Sequence, residues 1–273
     1  MPKPFDSDLG FKLSVGVPLL AVAAGAWYLS VYSLQNFSPM AMGSSTAAIP
    51  ILTLAPMFSS PDFGIVAAFL IVWIVGMVAM MFPAMIPVMS FYSGRVMRKE
   101  KKLRASCLVG PAFFLCGYLL LYGLLGLCLF AAVYVAFQLE FVLPWLSSFS
   151  VASVVVVLLL AGIWQLTPLK EKSLAKCVSP MGFFLTHFKK GHFGEFRMGA
   201  EHGIYCVGCC WLYMLVMLAV GAMSLLSMAL LSGLIIVEKA FVGKSSWFKW
   251  LSAGIFFSLA TLVAVFTTYL TFF

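Results

Sequence analysis

Long apolar runs make up most of the chain, and short polar clusters separate them. Seven such runs lie at about 11–33, 63–91, 106–137, 147–167, 200–221, 223–239 and 249–271. At about 1.5 Å per helical residue, each approaches or exceeds the length that crosses a hydrocarbon core ~30 Å thick. The pattern predicts an all-α polytopic membrane protein with about seven transmembrane helices. The sixth run is the shortest. Joined to the fifth, it would give one helix of about 36 residues, about 54 Å long and too long for a single crossing. A hairpin turning near Gly221 and Ala222 is expected instead. The first run lacks a short apolar core followed by a small-residue cleavage site, so it reads as a retained helix.

Charge orients these helices. All 17 Lys and Arg fall at or before the start of the first run, or from the end of run two to the start of three, of four to five, or of six to seven. The opposite loops carry only Asp62 and Glu140. The positive-inside rule then puts the amino terminus in the cytoplasm and the carboxyl terminus outside. The chain is 63% hydrophobic and 10% charged, against about 25% charged in a soluble domain. The net charge of +8 follows from topology and contact with anionic lipid, and does not call for a nucleic-acid partner. Residues 1–273 read as a single transmembrane helical domain. Residues 34–62 form an outer loop and 168–199 a cytoplasmic interfacial segment of alternating basic and apolar residues.

Within this frame, the stretch EHGIYCVGCCW at 201–211 places His202, Cys206, Cys209 and Cys210 at the cytoplasmic mouth of the fifth run. His202, Cys206 and Cys210 are spaced i, i+4 and i+8, and Cys209 is i+3 from Cys206. Such positions are neighbours on a helix surface, and thiolate and imidazole are ligands for soft or borderline metals. A single buried Cys is usually a small packing residue; three with a His one turn away favour a metal or redox site. The second run holds MVAMMFPAMIPVM at 77–89, in which Met77, Met81, Met85 and Met89 recur every fourth residue with Met80 beside them. Thioethers favour Cu(I), although Met also fills gaps in apolar cores. Pro83 and Pro87 break the backbone ladder there, so neighbouring helices or water must serve the freed carbonyls. Met40, Met42 and Met57 in the outer loop are either copper-capture groups or interfacial contacts. Gln165 is expected to bond another helix, and Cys177 is a further thiol donor. Glu201 and Glu238, near cytoplasmic helix ends, are placed to pair with Arg197 or Lys239.

No phosphate-binding loop, dinucleotide fingerprint, zinc-protease motif or Ser/His/Asp arrangement occurs, so no catalytic residue is assigned. The Met block, then WQLTPLK with CVSPMGFF, then GIYCVGCCW and a final apolar segment ending in EK, resemble a bacterial and archaeal family described as predicted metal-binding integral membrane proteins. The likeness covers about 63–240. That family is a domain of unknown function, and some members carry a copper-chaperone label. The resemblance implies a prokaryotic, multi-pass plasma-membrane protein. It also implies that Met77, Met80, Met81, Pro83, Met85, Gln165, Thr167, Pro168, Cys177, His202, Cys206, Cys209, Cys210 and Trp211 belong together. Members often carry a Met-rich stretch between the first two spans, which here is reduced to SPMAMG.

The leading function is binding of a soft metal, Cu(I), for copper handling or delivery to a membrane cuproenzyme. The implied partners are the lipid bilayer and that cuproenzyme or a copper-donor protein. The expected ligands are Cys206 with Cys210 or Cys209, His202, and a thioether from Met81 or Met85. Two alternatives stay open: a quinone-linked thiol–disulfide oxidoreductase using Cys206-Val207-Gly208-Cys209, and an accessory subunit of a larger membrane complex.

Overall fold

Backbone amides find no water inside hydrocarbon, so an apolar run must satisfy its own hydrogen bonds as a helix. The computed structural model describes residues 16–32, 62–92, 106–142, 150–187, 191–221, 225–241 and 247–272. It shows helices and no strand among them. They are α1 (Gly16–Tyr32), α2 (Phe63–Phe91), α3 (Ser106–Val142), α4 (Ser150–Gln165), α5 (Pro168–Val178), α6 (Pro180–His187), α7 (His192–Gly221), α8 (Leu225–Phe241) and α9 (Trp247–Phe272). Each of the apolar runs expected from sequence is helical over most of its described residues. Among the described residues, four helices are long and apolar enough to cross a bilayer: α2, α3 over Val109–Val135, α7 over His192–Ala219 and α9 over Trp247–Tyr269. The pair α4–α5 makes up to five if it is one broken span. Most of the expected outer loop, with Met40, Met42 and Met57, lies outside the described residues. The segment 168–199 forms α5, α6 and the first turns of α7, so α7 starts about two turns before the expected span and carries Glu195, Arg197 and Glu201 on the same helix as the thiols.

Local chemistry explains the breaks. Thr167 is extended (ψ 139°), and its side chain caps α5 by accepting from the Lys170 amide. Pro168 follows at the first helical position, where its missing N–H does no harm and where it disfavours helical geometry in the residue before it. The chain therefore turns by 70° between α4 and α5. In α2, Pro83 cannot donate to the carbonyl of Ala79. The indole Nε1 of Trp27 on α1 donates to that oxygen at 3.1 Å, so a partner helix serves it. α7 and α8 pack against each other as an antiparallel pair. Tyr213 meets Glu238 at 2.8 Å and Cys206 meets Lys239 at 3.4 Å, the pairing a hairpin near residue 222 requires.

Helix α7 is the hub. It packs most extensively on α3, then on α5, α4 and α8. The α3–α7 crossing is close because glycines face backbone there. A Cβ on Gly117 would lie 2.0 Å from the carbonyl oxygen of Phe196, and one on Gly199 would lie 1.9 Å from that of Phe114. Small residues of this kind let helix backbones approach in membranes, where packing replaces the hydrophobic effect as the force between helices. Gly199→Ala is therefore expected to force α3 and α7 apart and lower stability by about 1–3 kcal/mol or more. Gly254→Ala, whose Cβ would meet nothing within 4 Å, is expected to be neutral. Thermal unfolding of both variants in detergent checks this; equal midpoints would show that the crossing is not tight.

Candidate metal centre

Three thiols converge where α5 lies against α7. Cys206 and Cys209 stand one turn apart on α7. Cys177 comes from the buried face of α5, which presents Lys170, Leu174 and Cys177 at i, i+4 and i+7. Gly208 keeps the approach open, since a Cβ there would sit 3.1 Å from Ser173 Oγ. The Sγ atoms of Cys177, Cys206 and Cys209 all lie within 4.8 Å of one another. Each is a free, buried cysteine. This is the one such grouping of three His, Cys, Asp or Glu donors among the described residues. Sulfurs each about 2.3 Å from a shared ion in a trigonal arrangement would be about 4 Å apart, so a small contraction closes the set around a metal.

Cys206 is the centre of the polar contacts. Tyr118 Oη on α3 lies 3.2 Å from its Sγ, and Lys239 Nζ on α8 donates to it at 3.4 Å. An ammonium and a hydroxyl aimed at one sulfur stabilise negative charge on it. The thiols of Cys209 and Cys210 donate to the Cys206 carbonyl at 3.0 and 2.8 Å. Cys210 Sγ also faces Tyr122 Oη at 3.7 Å. The tyrosines, four residues apart on α3, thus match the cysteines, four apart on α7. His202, one turn before Cys206, is 0% exposed, and neither ring nitrogen has a hydrogen-bond partner. Its ring sits among Phe114, Tyr118 and Phe183, with centroids 5.1–6.3 Å away. Met77, Met80, Met81 and Met85 are buried on α2 in the same core cluster as the cysteines. The structure therefore brings Cys177, Cys206 and Cys209 together, and places His202 and Cys210 beside that trio rather than in it.

A second polar cluster adjoins the first. Lys170 forms an ion pair with Glu238, donates to Tyr213 Oη at 3.0 Å, and bonds Gln165, which in turn bonds Tyr213. Tyr213 donates to Glu238 at 2.8 Å. Gln165 thus makes the interhelical bond expected of it. Glu201 pairs with Arg197 at 3.0 Å, as the sequence allowed. Glu238, however, pairs with Lys170 rather than Lys239, because neighbouring residues on a helix point in directions about 100° apart; Lys239 turns to Cys206. Sequence reasoning missed Lys170, Lys239, Tyr118 and Tyr122. Charge counting reads a Lys as a topological marker, and an i,i+4 tyrosine pair gains meaning only once its facing cysteines are known. The one early signal was Glu238-Lys239, an ionisable pair near the end of an otherwise apolar run. Removing one member of a buried ion pair leaves the other charge stranded. Lys170→Met is expected to destabilise by about 3–5 kcal/mol, and Lys170→Met/Glu238→Met to recover most of that loss. Thermal unfolding in detergent measures both; additive losses in the double variant would mean that the pair is not coupled.

No curated protein and no solved structure matches the chain. A family model described as PpoB2, copper chaperone, matches residues 70–263. That range holds most of α2, all of α3 to α8, most of α9, and every cysteine and tyrosine of the cluster. The chain thus belongs to the PpoB2 copper chaperone family.

Proposed function

We propose that the protein binds Cu(I) within its membrane helices at Cys177, Cys206 and Cys209 and delivers it to a membrane cuproenzyme. The observation that carries this reading is the convergence of three free thiols within 4.8 Å. Soft thiolates select Cu(I), whereas structural Zn(II) sites are almost always closed by four ligands, and this grouping of His, Cys, Asp and Glu donors has three members. Lys239 and Tyr118 support the reading from a second side. Ligating cysteines are deprotonated, and a cation and a hydroxyl donor at Cys206 offset that charge inside an apolar bundle. Burial argues against the thiol–disulfide alternative. Exchange needs a thiolate that an incoming disulfide can reach, and Cys177, Cys206 and Cys209 are all enclosed. An accessory role in a larger complex is compatible with copper binding and differs in whether the ion exchanges.

The test is copper content and X-ray absorption at the copper edge of the purified protein. About one copper per chain with a sulfur-only inner shell of about 2.3 Å is expected. Cys206→Ser, Cys209→Ser and Cys177→Ser should each lower occupancy sharply. Cys116→Ser/Cys128→Ser, at exposed positions of α3, should leave it unchanged. Equal copper in the wild type and the Cys206→Ser/Cys209→Ser variant would overturn the assignment. Transfer of the bound ion to a Cu(I) chelator in solution separates delivery from a static structural site, which would hold its copper.

A further inference from the structure

The thiol trio occupies the middle of two longer rows of soft donors. On α7, Met198, His202, Cys206, Cys210 and Met214 recur at every fourth residue, and none is more than 2% exposed. At about 1.5 Å per residue the rungs are about 6 Å apart and the row about 24 Å long, most of the ~30 Å hydrocarbon thickness. On α2, Met77, Met81, Met85 and Met89 recur with the same spacing, each 0% exposed.

Two links set the direction and relative depth of these rows, whose helices both pack on α3. Tyr92 Oη, at the end of α2, donates to Glu195 Oε1 in the first turn of α7 at 3.0 Å. Tyr122 of α3 accepts on its carbonyl from Trp73 Nε1 of α2 at 2.9 Å and holds its hydroxyl 3.7 Å from Cys210 Sγ of α7. Residue numbers therefore fall along α2 as they rise along α7, and the helices run antiparallel. Equal steps from the Tyr92–Glu195 bond put Met89 at the depth of Met198, Met85 at His202, Met81 at Cys206 and Met77 at Cys210. The Tyr122 link agrees with this register to about one turn, ~5.4 Å.

Packing alone asks for apolar volume at these depths, which Leu supplies as well as Met. It does not ask for an imidazole. His202 lies at the second rung with both ring nitrogens unpartnered in a fully buried site. Buried polar groups in native proteins are nearly always satisfied, and a soft cation is a partner that the surrounding Phe114 and Phe183 cannot replace.

We propose that the paired donor rows of α2 and α7 form a transmembrane path for Cu(I), with the Cys177–Cys206–Cys209 cluster as its central station. The path rests on the Cu(I) reading of that cluster and adds translocation to it. The copper stays monovalent throughout: at each step a bond to the next sulfur or imidazole forms as a bond to the previous donor breaks, and no electron moves. Conduction needs sites that bind well enough to admit an ion and weakly enough to release it. Neutral thioethers and an imidazole at the outer rungs supply the weaker sites, and the thiols supply the stronger central one.

The full chain in sealed liposomes, with a membrane-impermeant Cu(I) chelator trapped inside and ascorbate-reduced copper outside, tests this directly. Chelator signal is expected to rise several-fold faster than in protein-free liposomes. Met89→Leu and Met214→Leu conserve volume and lie outside the thiol trio. Each is expected to slow uptake several-fold while the sulfur shell at the copper edge in detergent persists. Wild-type protein that holds copper yet passes it no faster than bare liposomes would overturn the path and leave the binding site standing. Wild-type rates in both Met variants would likewise overturn it. Absence of bound copper in the wild type would sink the binding site as well as the path.

Discussion

The close crossing of α3 and α7 is the constraint on which the rest of the site depends. In lipid, two helices gain little by hiding apolar surface from each other, so they associate through van der Waals contact and interhelical hydrogen bonds. Gly117 and Gly199 bring the two backbones to a separation that no side chain at either position would allow. Tyr118 follows Gly117 directly and Tyr122 comes one turn later, so the same approach lays both hydroxyls against Cys206 and Cys210. From the other side, Gly208 admits α5 and with it Cys177. α8, folded back from the end of α7, sets Lys239 on the same sulfur. The cluster is therefore a consequence of what packs on one helix, and α7 carries glycines where α3 and α5 approach it.

Much of this was legible in the sequence. Hydropathy located the apolar helices α1 to α4 and α7 to α9 but not α5 and α6, because an apolar segment in lipid has few alternatives to a helix. The i, i+3 and i+4 spacings of His202, Cys206, Cys209 and Cys210 and the fourfold Met repeat were visible for the same geometric reason: both report one helix at a time. What crossed between helices was not visible. Cys177 joins Cys206 and Cys209 only because the chain bends by 70° at Thr167–Pro168 and lays α5 back on α7. The TP pair signals a break without signalling its direction. His202 and Cys206 share a helix face yet do not converge with a third donor, since the third thiol approaches from the side of Cys209. The charges misled in an instructive way. Counting Lys170 and Lys239 among cytoplasmic markers uses their number, and number carries no information about whether a side chain points into water or into the bundle.

The Lys170–Glu238 pair shows what that difference means physically. Desolvating two opposite charges commonly offsets their attraction, so a buried ion pair is weak evidence of added stability, and apolar replacements of similar volume often do as well. Its effect here is better sought in geometry. Lys170 and Cys177 lie on the same buried face of α5, two turns apart. Lys170 is held by Glu238 of α8 and by Tyr213 of α7, with Gln165 of α4 bonded to both Lys170 and Tyr213. A charge in low dielectric tolerates little displacement from its partner, because the interaction strengthens as the surroundings exclude water. Sliding α5 by one turn, about 5.4 Å, would strand both charges. Sulfur contacts alone would resist such a slip weakly, since a thiol behaves much as a small hydrophobe. The ion pair thus fixes the register that keeps Cys177 beside Cys206 and Cys209. A cluster drawn from two helices requires that register, and the thiols by themselves do not specify it.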